Sequence, residues 1–189
     1  MRIIGGAARG RTLAAPDGRD TRPTRDMVRE ALFDILAGRV EGSAVLDAFA
    51  GSGALALEAL SRGAERAVMV ERSAKAAAVI RRNIEAVGMA GKARLVTADW
   101  ERASRSMLAE GERFDLILLD PPYGWHDAAG LLATAARLAA PGAWISLEHG
   151  RDGPPSSPDG AVFVKSRVYG DTTLSFYEVV YGDINVKER

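Results

Sequence analysis

The sequence contains no cysteine, and His126 and His149 are its two histidines. Without cysteine there can be no disulfide, no thiolate nucleophile and no cysteine-ligated metal site. Two histidines are too few for a histidine-based zinc site, and their separation in sequence does not suggest a catalytic triad. We therefore expect a protein without a resident metal ion.

Long apolar runs are also missing. No stretch approaches the roughly 18 consecutive apolar residues of a transmembrane helix, and the first residues do not form an apolar secretory leader. The 189 residues are 47% apolar and 26% charged, which is typical of a globular domain with its own core. We expect a single domain over residues 1–189, a monomer, located in the cytoplasm and without a membrane partner.

Net charge is absent too, since Lys and Arg together number 25 and so do Asp and Glu. The charges are unevenly distributed, however, because residues 1–29 contain seven arginines against three aspartates. Residues 1–23 are also rich in glycine, and we predict a small hairpin with strands near Arg2–Ile4 and Thr12–Ala14. This basic arm is predicted to contact RNA phosphates, and a flexible solvated tail is the alternative. The arginines proposed for contact are Arg9, Arg11, Arg22, Arg25 and Arg29.

One stretch has the strongest functional signal. The run Phe114–Leu119, apolar except for Asp115, leads directly into Asp120-Pro121-Pro122-Tyr123. Such a run is typical of a buried parallel strand, and ligands of open α/β sheets bind at the carboxyl ends of the strands. The two prolines cannot extend the sheet, and their carbonyls remain available to a ligand. The sequence therefore predicts a functional edge at Asp120.

These four residues suit methyl transfer to an exocyclic amine of a nucleobase. The lone pair of such an amine is delocalised into the ring, so the site must accept hydrogen bonds from its N–H groups to favour a pyramidal nitrogen. Asp120 and the Pro121 carbonyl are the predicted acceptors. Tyr123 is predicted to stack on the base, which is worth about 1–3 kcal/mol. The alternative is a strand that ends in an Asp-Pro turn beside a half-buried tyrosine.

A second motif lies upstream. A strand ending at Asp47 is followed by the loop Gly51-Ser52-Gly53 and by a helix over 54–62. Glycines allow a ligand to approach the main chain, and the helix amino terminus offers unpaired N–H groups. The next strand, Ala67–Val70, ends at Glu71, whose carboxylate could accept both hydroxyls of a ribose. These features fit either a nicotinamide dinucleotide or S-adenosylmethionine.

Two observations favour S-adenosylmethionine. An acid before the glycines, Asp47, suits a sulfonium cation better than a pyrophosphate, and the Asp-Pro-Pro-Tyr motif has no role in hydride transfer. After a third strand, Asp99 is predicted to accept from the adenine amino group, and Trp100 is predicted to flank the adenine ring. Asp47, Glu71, Asp99 and Asp120 are thus predicted to line one edge of one sheet.

The order of the remaining elements predicts an α/β fold. Helical patterns alternate with the strands as far as a helix that ends at Pro141-Gly142 and a fifth strand, Trp144–Glu148. The last two strands, Val162–Tyr169 and Thr173–Tyr181, predict an antiparallel hairpin at a sheet edge. The hairpin includes a cluster of basic and aromatic side chains, which either contacts RNA or forms a solvated face of the hairpin. The cluster consists of Lys165, Arg167 and Tyr169.

Several blocks together resemble the bacterial 16S ribosomal RNA (guanine-N2)-methyltransferases of the small single-domain type. The blocks are Arg2–Gly6, Arg22-Pro23-Thr24, Val28–Phe33, Asp47–Gly53, Glu58–Ala64 and Asp120–Tyr123. The resemblance extends to Tyr169-Gly170-Asp171-Thr172, nearly the whole chain. Amino-methyltransferases of DNA and RNA share the last block in general, whereas the N-terminal blocks are more specific.

The resemblance implies a Rossmann-like class I S-adenosylmethionine-dependent methyltransferase with a seven-stranded, mostly parallel sheet and a C-terminal antiparallel hairpin. It implies a guanine in 16S rRNA as the acceptor, on an assembled or partly assembled small ribosomal subunit. The donor would be bound by Asp47, Gly51, Gly53, Glu71 and Asp99, and the base by Asp120, Pro121, Pro122 and Tyr123. Ala48 and Ala56 depart from the leucine and glycine expected at these positions.

Two other functions are compatible with parts of this pattern. A DNA adenine or cytosine amino-methyltransferase uses the same Asp-Pro-Pro-Tyr motif, but 189 residues leave no room for a separate target-recognition domain. A non-catalytic rRNA-binding assembly factor could keep the fold, although the intact row of strand-end acids argues against it. Binding of S-adenosylmethionine and the identity of the methyl acceptor distinguish these two functions from an rRNA methyltransferase.

Overall fold

The structure, a computed structural model, describes residues 1–16, 23–122 and 124–180. The strands in these residues are β1 Ala44–Asp47, β2 Arg66–Val70, β3 Ala93–Val96, β4 Phe114–Leu119, β5 Ala139–His149, β6 Ala161–Tyr169 and β7 Thr172–Val179. They form one sheet in the order β3-β2-β1-β4-β5-β7-β6. The first five strands run parallel, and β7 and β6 are antiparallel. The predicted sheet and its C-terminal hairpin are confirmed, although Tyr181, where the predicted hairpin ends, lies outside the described residues.

Helices cover both faces of the sheet. They are α1 Pro23–Ile35, α2 Ala54–Ser61, α3 Ala74–Val87, α4 Trp100–Ala109 and α5 Ala128–Leu138. Leu116 and Leu118 of β4 pack with α1, α2 and α3, whereas Ile117 and Leu119 pack with α4 and α5. Successive side chains of a strand point to opposite faces, so a strand covered on both sides is apolar throughout. This explains the apolar run 116–119 of β4, which follows the exposed Asp115.

One predicted boundary is wrong. The sequence predicts an interruption at Pro141-Gly142, but β5 begins at Ala139 and continues through both residues. The register of β4 and β5 shifts at this point, because Phe114 pairs with Ala139 while Leu116 pairs with Trp144. The additional residues of β5 bulge from the ladder, where a proline without an N–H is tolerated. In the described part of the chain, no helix combines the length and apolar character needed to cross a bilayer.

The N-terminal segment forms the predicted hairpin. Its strands meet at an antiparallel bridge between Arg2 and Thr12, and the Ile3 N–H donates to the Arg11 carbonyl. Ile3 and Leu13 are 1% and 2% exposed and belong to the core shared with α1, α2 and α3. The described part of the hairpin is therefore an integral part of the domain rather than a flexible tail.

Helix α2 holds this hairpin through two buried side chains. The Glu58 carboxylate is fully buried and accepts from the N–H groups of Ile4 at 2.8 Å and Gly5 at 2.7 Å. The Ser61 hydroxyl donates to the Gly5 carbonyl and accepts from the Ala8 N–H, at 2.6 and 2.9 Å. Two of the blocks that carry the family resemblance, 2–6 and 58–64, therefore bind to each other.

Replacing Gly6 with alanine is expected to destabilise the protein by at least about 3 kcal/mol. Gly6 has a φ of +76°, and a Cβ there would lie 1.8 Å from the Ser61 carbonyl oxygen of α2. Gly10→Ala is the matched control, because its φ is +85° but no atom lies within 4 Å of its Cβ position. The control should lose only about 1 kcal/mol, the conformational part of the effect. Urea unfolding of both variants measures the difference, and equal losses would contradict tight docking.

Candidate active site

The topology brings the four predicted acids to one edge of the sheet. Asp47 ends β1, Glu71 directly follows β2, Asp99 lies beyond β3 and Asp120 directly follows β4. These strands are neighbours and run parallel, so their carboxyl ends share one edge. The predicted juxtaposition is confirmed, at the place where α/β sheets bind ligands.

The glycine loop is held against this edge by backbone hydrogen bonds. The Ala50 N–H donates to the Val70 carbonyl at 2.9 Å, and the Gly53 N–H donates to the Ala50 carbonyl at 2.7 Å. Gly53 has a φ of +78°, and a Cβ there would lie 3.1 Å from the Met69 sulfur. The loop therefore needs glycine at this position, because of both conformation and close packing.

Ala56, which stands where a glycine was expected, is buried within α2. Its N–H donates to Asp47 Oδ2 at 3.3 Å. Because Ala56 is a helical residue with a role in holding Asp47, the departure from glycine does not affect the conformation of the loop.

Glu71 supports the loop from the next strand. Its Oε2 accepts from the Gly51 N–H at 2.9 Å, and its Oε1 accepts from the Ser73 N–H at 2.7 Å. The side chain is 9% exposed. Each carboxylate oxygen has a second lone pair, so these contacts leave acceptor capacity for the predicted ribose hydroxyls. Ribose binding by Glu71 stays a prediction.

Asp47 is the most perturbed acid of the site. Its side chain is completely buried, and Oδ1 has no hydrogen-bond partner among the described residues. Burial raises the pKa of Asp47 from 3.8 to about 7, opposed by the hydrogen bond from Ala56 and reinforced by the negative charges of Asp120 and Glu71. A buried carboxylate with one unsatisfied oxygen and other acids nearby favours a cationic ligand.

Asp99 and Trp100 have structural roles in addition to any ligand contact. Asp99 Oδ1 accepts from the Arg102 N–H at 2.7 Å and is the N-cap of α4. Trp100 is only 5% exposed, and its ring centroid lies 6.0 Å from that of Phe49. Their predicted contacts with adenine stay predictions.

The acceptor motif begins at the end of β4 in a half-buried position. Asp120 and Pro121 are partly buried, and Pro122 is exposed. The Pro122 carbonyl accepts from the Trp125 N–H at 3.2 Å, which uses one of its two lone pairs, and the predicted availability of the proline carbonyls to a ligand stays a prediction. Tyr123 lies outside the described residues, so its predicted stacking on the base stays a prediction.

Trp125, which follows the Asp-Pro-Pro-Tyr motif, packs against a residue that follows β1. Its ring packs edge-on against Phe49, with centroids 5.2 Å apart, and its indole N–H donates to the Asp127 carbonyl at 3.0 Å. Phe49 lies two residues after Asp47, so this aromatic contact joins the segments that follow β1 and β4.

The predicted RNA-contacting residues have different environments. Arg9 and Arg167 are exposed. Arg11 is exposed as well but donates to the Ala86 carbonyl at 2.9 Å. The Lys165 ammonium lies 5.7 Å from the Trp144 ring centroid. The half-buried Tyr169 packs against the core, residue Arg22 lies outside the described part of the chain, and so does the side chain of Arg25.

The prediction that Arg29 contacts substrate is wrong. Its side chain is 5% exposed, donates to the Arg2 carbonyl at 2.6 Å and pairs with Asp26 at 3.2 Å. Its Nε lies 3.9 Å from Glu58 Oε2. Helix α1 turns this guanidinium inward, and Arg29 therefore ties α1 to the N-terminal hairpin.

Sequence reasoning missed one acid at the same edge, Glu148. In the register of β4 and β5, Leu119 pairs with Leu147, so Glu148 is the next residue of β5 beside Asp120. Glu148 is half-buried and pairs with Leu174 of β7. The signal was available, because Glu148 closes a predicted strand just as the other acids do.

The comparison with known families decides the relationship. The model of the family described as "Conserved hypothetical protein 95" matches residues 1–178. The chain belongs to this family. Its sheet topology and its structural relatives are those of the Rossmann-like class I methyltransferases. The protein is a methyltransferase.

Two curated relatives match almost the whole of this chain. The "Ribosomal RNA small subunit methyltransferase D" of Escherichia coli K12 is 35% identical over 186 residues, covering 94% of this chain and 89% of the relative. The protein of the same name from Haemophilus influenzae is 31% identical over 183 residues, covering 94% and 93%. The solved structure of a hypothetical protein from Thermus thermophilus has a TM-score of 0.79 and 38% identity, covering 95% of this chain and 99% of that one.

Proposed function

We propose that this methyltransferase transfers a methyl group from S-adenosylmethionine to the exocyclic N2 of a guanine in 16S rRNA of the small ribosomal subunit. The observation that carries the proposal is the adjacency of Asp47 and Asp120, because β1 and β4 are parallel neighbours in which Asp47 pairs with Leu118, two residues before Asp120. A donor site and an acceptor site thus meet at one sheet edge. The names of the two relatives support an rRNA acceptor in the small subunit.

The donor side consists of the glycine loop and the acids at the ends of β1, β2 and β3. S-adenosylmethionine supplies a methyl carbon bonded to a positively charged sulfur. Asp47 and the neighbouring carboxylates provide a negative environment for that cation, while Gly51 and Gly53 let it approach the main chain. Glu71 accepts from the ribose hydroxyls, and Asp99 accepts from the adenine amino group.

The acceptor side is the motif that starts at Asp120. Its carboxylate accepts a hydrogen bond from the guanine amino group, with the Pro121 carbonyl as the second acceptor. These contacts favour a pyramidal N2 with its lone pair directed at the methyl carbon, and they hold the two reactants in one geometry, which supplies much of the rate enhancement. Tyr123 stacks on the base in this proposal.

The acceptor base must leave its helix to reach this edge. N2 of a paired guanine faces the minor groove, so the target is looped out or flipped, at an unstacking cost of a few kcal/mol. The exposed arginines Arg9 and Arg167 bind phosphates of the rRNA at two separate places, with Arg11 near the first and Lys165 near the second. Phosphate contacts of this kind position the protein without reading sequence.

The proposal is tested by transfer of a labelled methyl group to purified 30S subunits, free 16S rRNA and duplex DNA. Label in the RNA of the 30S subunits or in free 16S rRNA, identified by mass spectrometry as N2-methylguanosine, is the expected result. Label in DNA as N6-methyladenine or N4-methylcytosine would support the DNA amino-methyltransferase instead. Binding to RNA without any S-adenosylmethionine binding in calorimetry would support the assembly factor.

Reversing the charge of Arg9 is expected to raise the KM for the RNA acceptor severalfold at physiological salt, because one phosphate contact is lost. The slope of log KM against log salt should fall by about 1. Arg105→Glu is the matched control, since Arg105 is an exposed arginine of α4, the helix on the opposite face of the sheet from the hairpin. Equal effects of Arg9→Glu and Arg105→Glu would show that net charge matters and the hairpin does not.

A further inference from the structure

Asn83 of α3 makes three hydrogen bonds that join two separate parts of the chain. Its side chain is 2% exposed. Nδ2 donates to the Ser52 carbonyl at 2.9 Å and to the Ala14 carbonyl at 3.0 Å, and Oδ1 accepts from the Ala14 N–H at 2.9 Å. One buried amide therefore binds both the N-terminal hairpin and the glycine loop.

The bond to Ser52 lies at the centre of the glycine loop. Ser52 stands between Gly51 and Gly53, whose φ angles are +58° and +78°. Glycines lose more conformational freedom on folding than other residues, so a loop of this kind needs contacts that select one conformation. A second contact comes from the hairpin itself, since the Ser52 hydroxyl lies 3.9 Å from the Met1 sulfur.

We propose that Asn83 is a positioning residue that holds the glycine loop in its donor-binding conformation and makes that conformation depend on the docked N-terminal hairpin. The inference rests on the proposed function in two respects, the contact between residues 51–53 and S-adenosylmethionine and the contact between the hairpin and RNA. Its consequence is a link between the two substrates. RNA that binds the hairpin and a donor that binds the loop act on the same three hydrogen bonds, so each changes the affinity for the other by the same factor.

The test compares two Asn83 variants with a variant of the hairpin's other attachment. Asn83→Leu has a similar shape but removes all three bonds, while Asn83→Asp keeps an acceptor for the Ala14 N–H and loses the donors to Ser52 and Ala14. Ser61→Ala is the matched control, because Ser61 also makes buried hydrogen bonds to the hairpin but lies at the opposite end of α2 from the loop. Calorimetry gives the Kd for S-adenosylmethionine, and steady-state kinetics gives KM and kcat.

Both Asn83 variants are expected to raise the donor Kd and donor KM about tenfold while kcat at saturating donor stays within about twofold, which corresponds to the loss of one net hydrogen bond. Ser61→Ala should lower thermal stability without changing the donor Kd, because the bonds from Glu58 and Asn83 keep the hairpin docked in the folded state. If Asn83→Leu does not fold, Asn83→Asp decides alone. An unchanged donor Kd in a folded Asn83 variant, or an equal rise in Ser61→Ala, would overturn the inference.

The two levels of failure are distinguishable in the same experiment. If the wild-type protein does not bind S-adenosylmethionine, the proposed function fails. If the wild type binds it and the Asn83 variants bind it equally well, the proposed function stands and the positioning role of Asn83 fails.

Discussion

Replacing Asp120 with alanine is expected to reduce methyl transfer by at least about a hundredfold, with little change in donor affinity. The variant removes the carboxylate that accepts from the amine at the end of β4, and loss of one preorganised hydrogen-bonding group in an active site typically costs a factor of about 100–1,000 in kcat. Asp120→Asn should be nearly as impaired, because an amide directs donors as well as an acceptor at the amine. Single-turnover transfer to 30S subunits or 16S rRNA, with donor Kd from calorimetry, separates the chemical step from binding.

Asp127→Ala is the control for this experiment. Asp127 is exposed and caps α5 by accepting from the Gly130 N–H at 2.7 Å. Its removal should destabilise the helix by about 1 kcal/mol without a comparable loss of kcat. Normal transfer by the Asp120→Ala variant would exclude the proposed role of that carboxylate, whatever the acceptor is.

Replacing Asp47 with asparagine is expected to weaken donor binding about ten- to a hundredfold at pH 8, through loss of a charge-assisted interaction. In the wild type, burial and the nearby acids raise the pKa of Asp47 to about 7, so the residue is mostly protonated at pH 6 and ionised at pH 8. If the cation binds only the ionised form, the donor Kd should fall up to about tenfold over this range. The asparagine variant should have no such pH dependence.

The same substitution should stabilise the donor-free protein at high pH. The folded-state pKa of Asp47 lies above its unfolded value of 3.8, so between pH 4 and pH 7 the folded state holds an extra proton. The free energy of unfolding therefore falls as pH rises through this window, by on the order of 4 kcal/mol, and is level above it. Asp47→Asn removes this slope, so the variant should be more stable than the wild type at pH 8.

Urea unfolding at several pH values, without donor, measures this effect. Asp34→Asn removes one negative charge from an exposed position of α1 and controls for net charge. A wild-type protein whose stability does not decline between pH 5 and pH 8 relative to the Asp47→Asn variant would contradict the assignment. A buried acid such as Asp47 lowers the free energy of unfolding but raises the affinity for the ligand, and this combination is typical of a binding site.

Much of the sheet edge was predictable because strand-end acids obey a simple rule. Asp47 and Asp120 each follow a buried apolar run, and parallel strands must present their carboxyl ends together. The same rule would have included Glu148, which closes β5. The bulge at Pro141-Gly142 was not predictable in this way, because the local signal for a turn was overridden by pairing between β4 and β5.

The arginines illustrate what local pattern does not decide. Arg9 and Arg29 have the same side chain and lie in the same basic segment, yet Arg9 is exposed and Arg29 is 5% exposed between Asp26, Glu58 and the Arg2 carbonyl. Which arginine faces solvent depends on how α1 packs on the hairpin and α2. Spacing along the chain does not contain that information.

The sequence by itself determined the order of strands and helices, the acids at the strand ends and the family, because apolar periodicity and short motifs are local properties of a chain. Only the tertiary structure decided that Glu58 and Ser61 bind the hairpin, that Asn83 joins the hairpin to the glycine loop, and that Arg29 is internal. These contacts join residues from 27 to 69 positions apart. They exist because packing on a shared sheet brings distant backbone groups together, and a buried polar group must then find its partner wherever the fold places one.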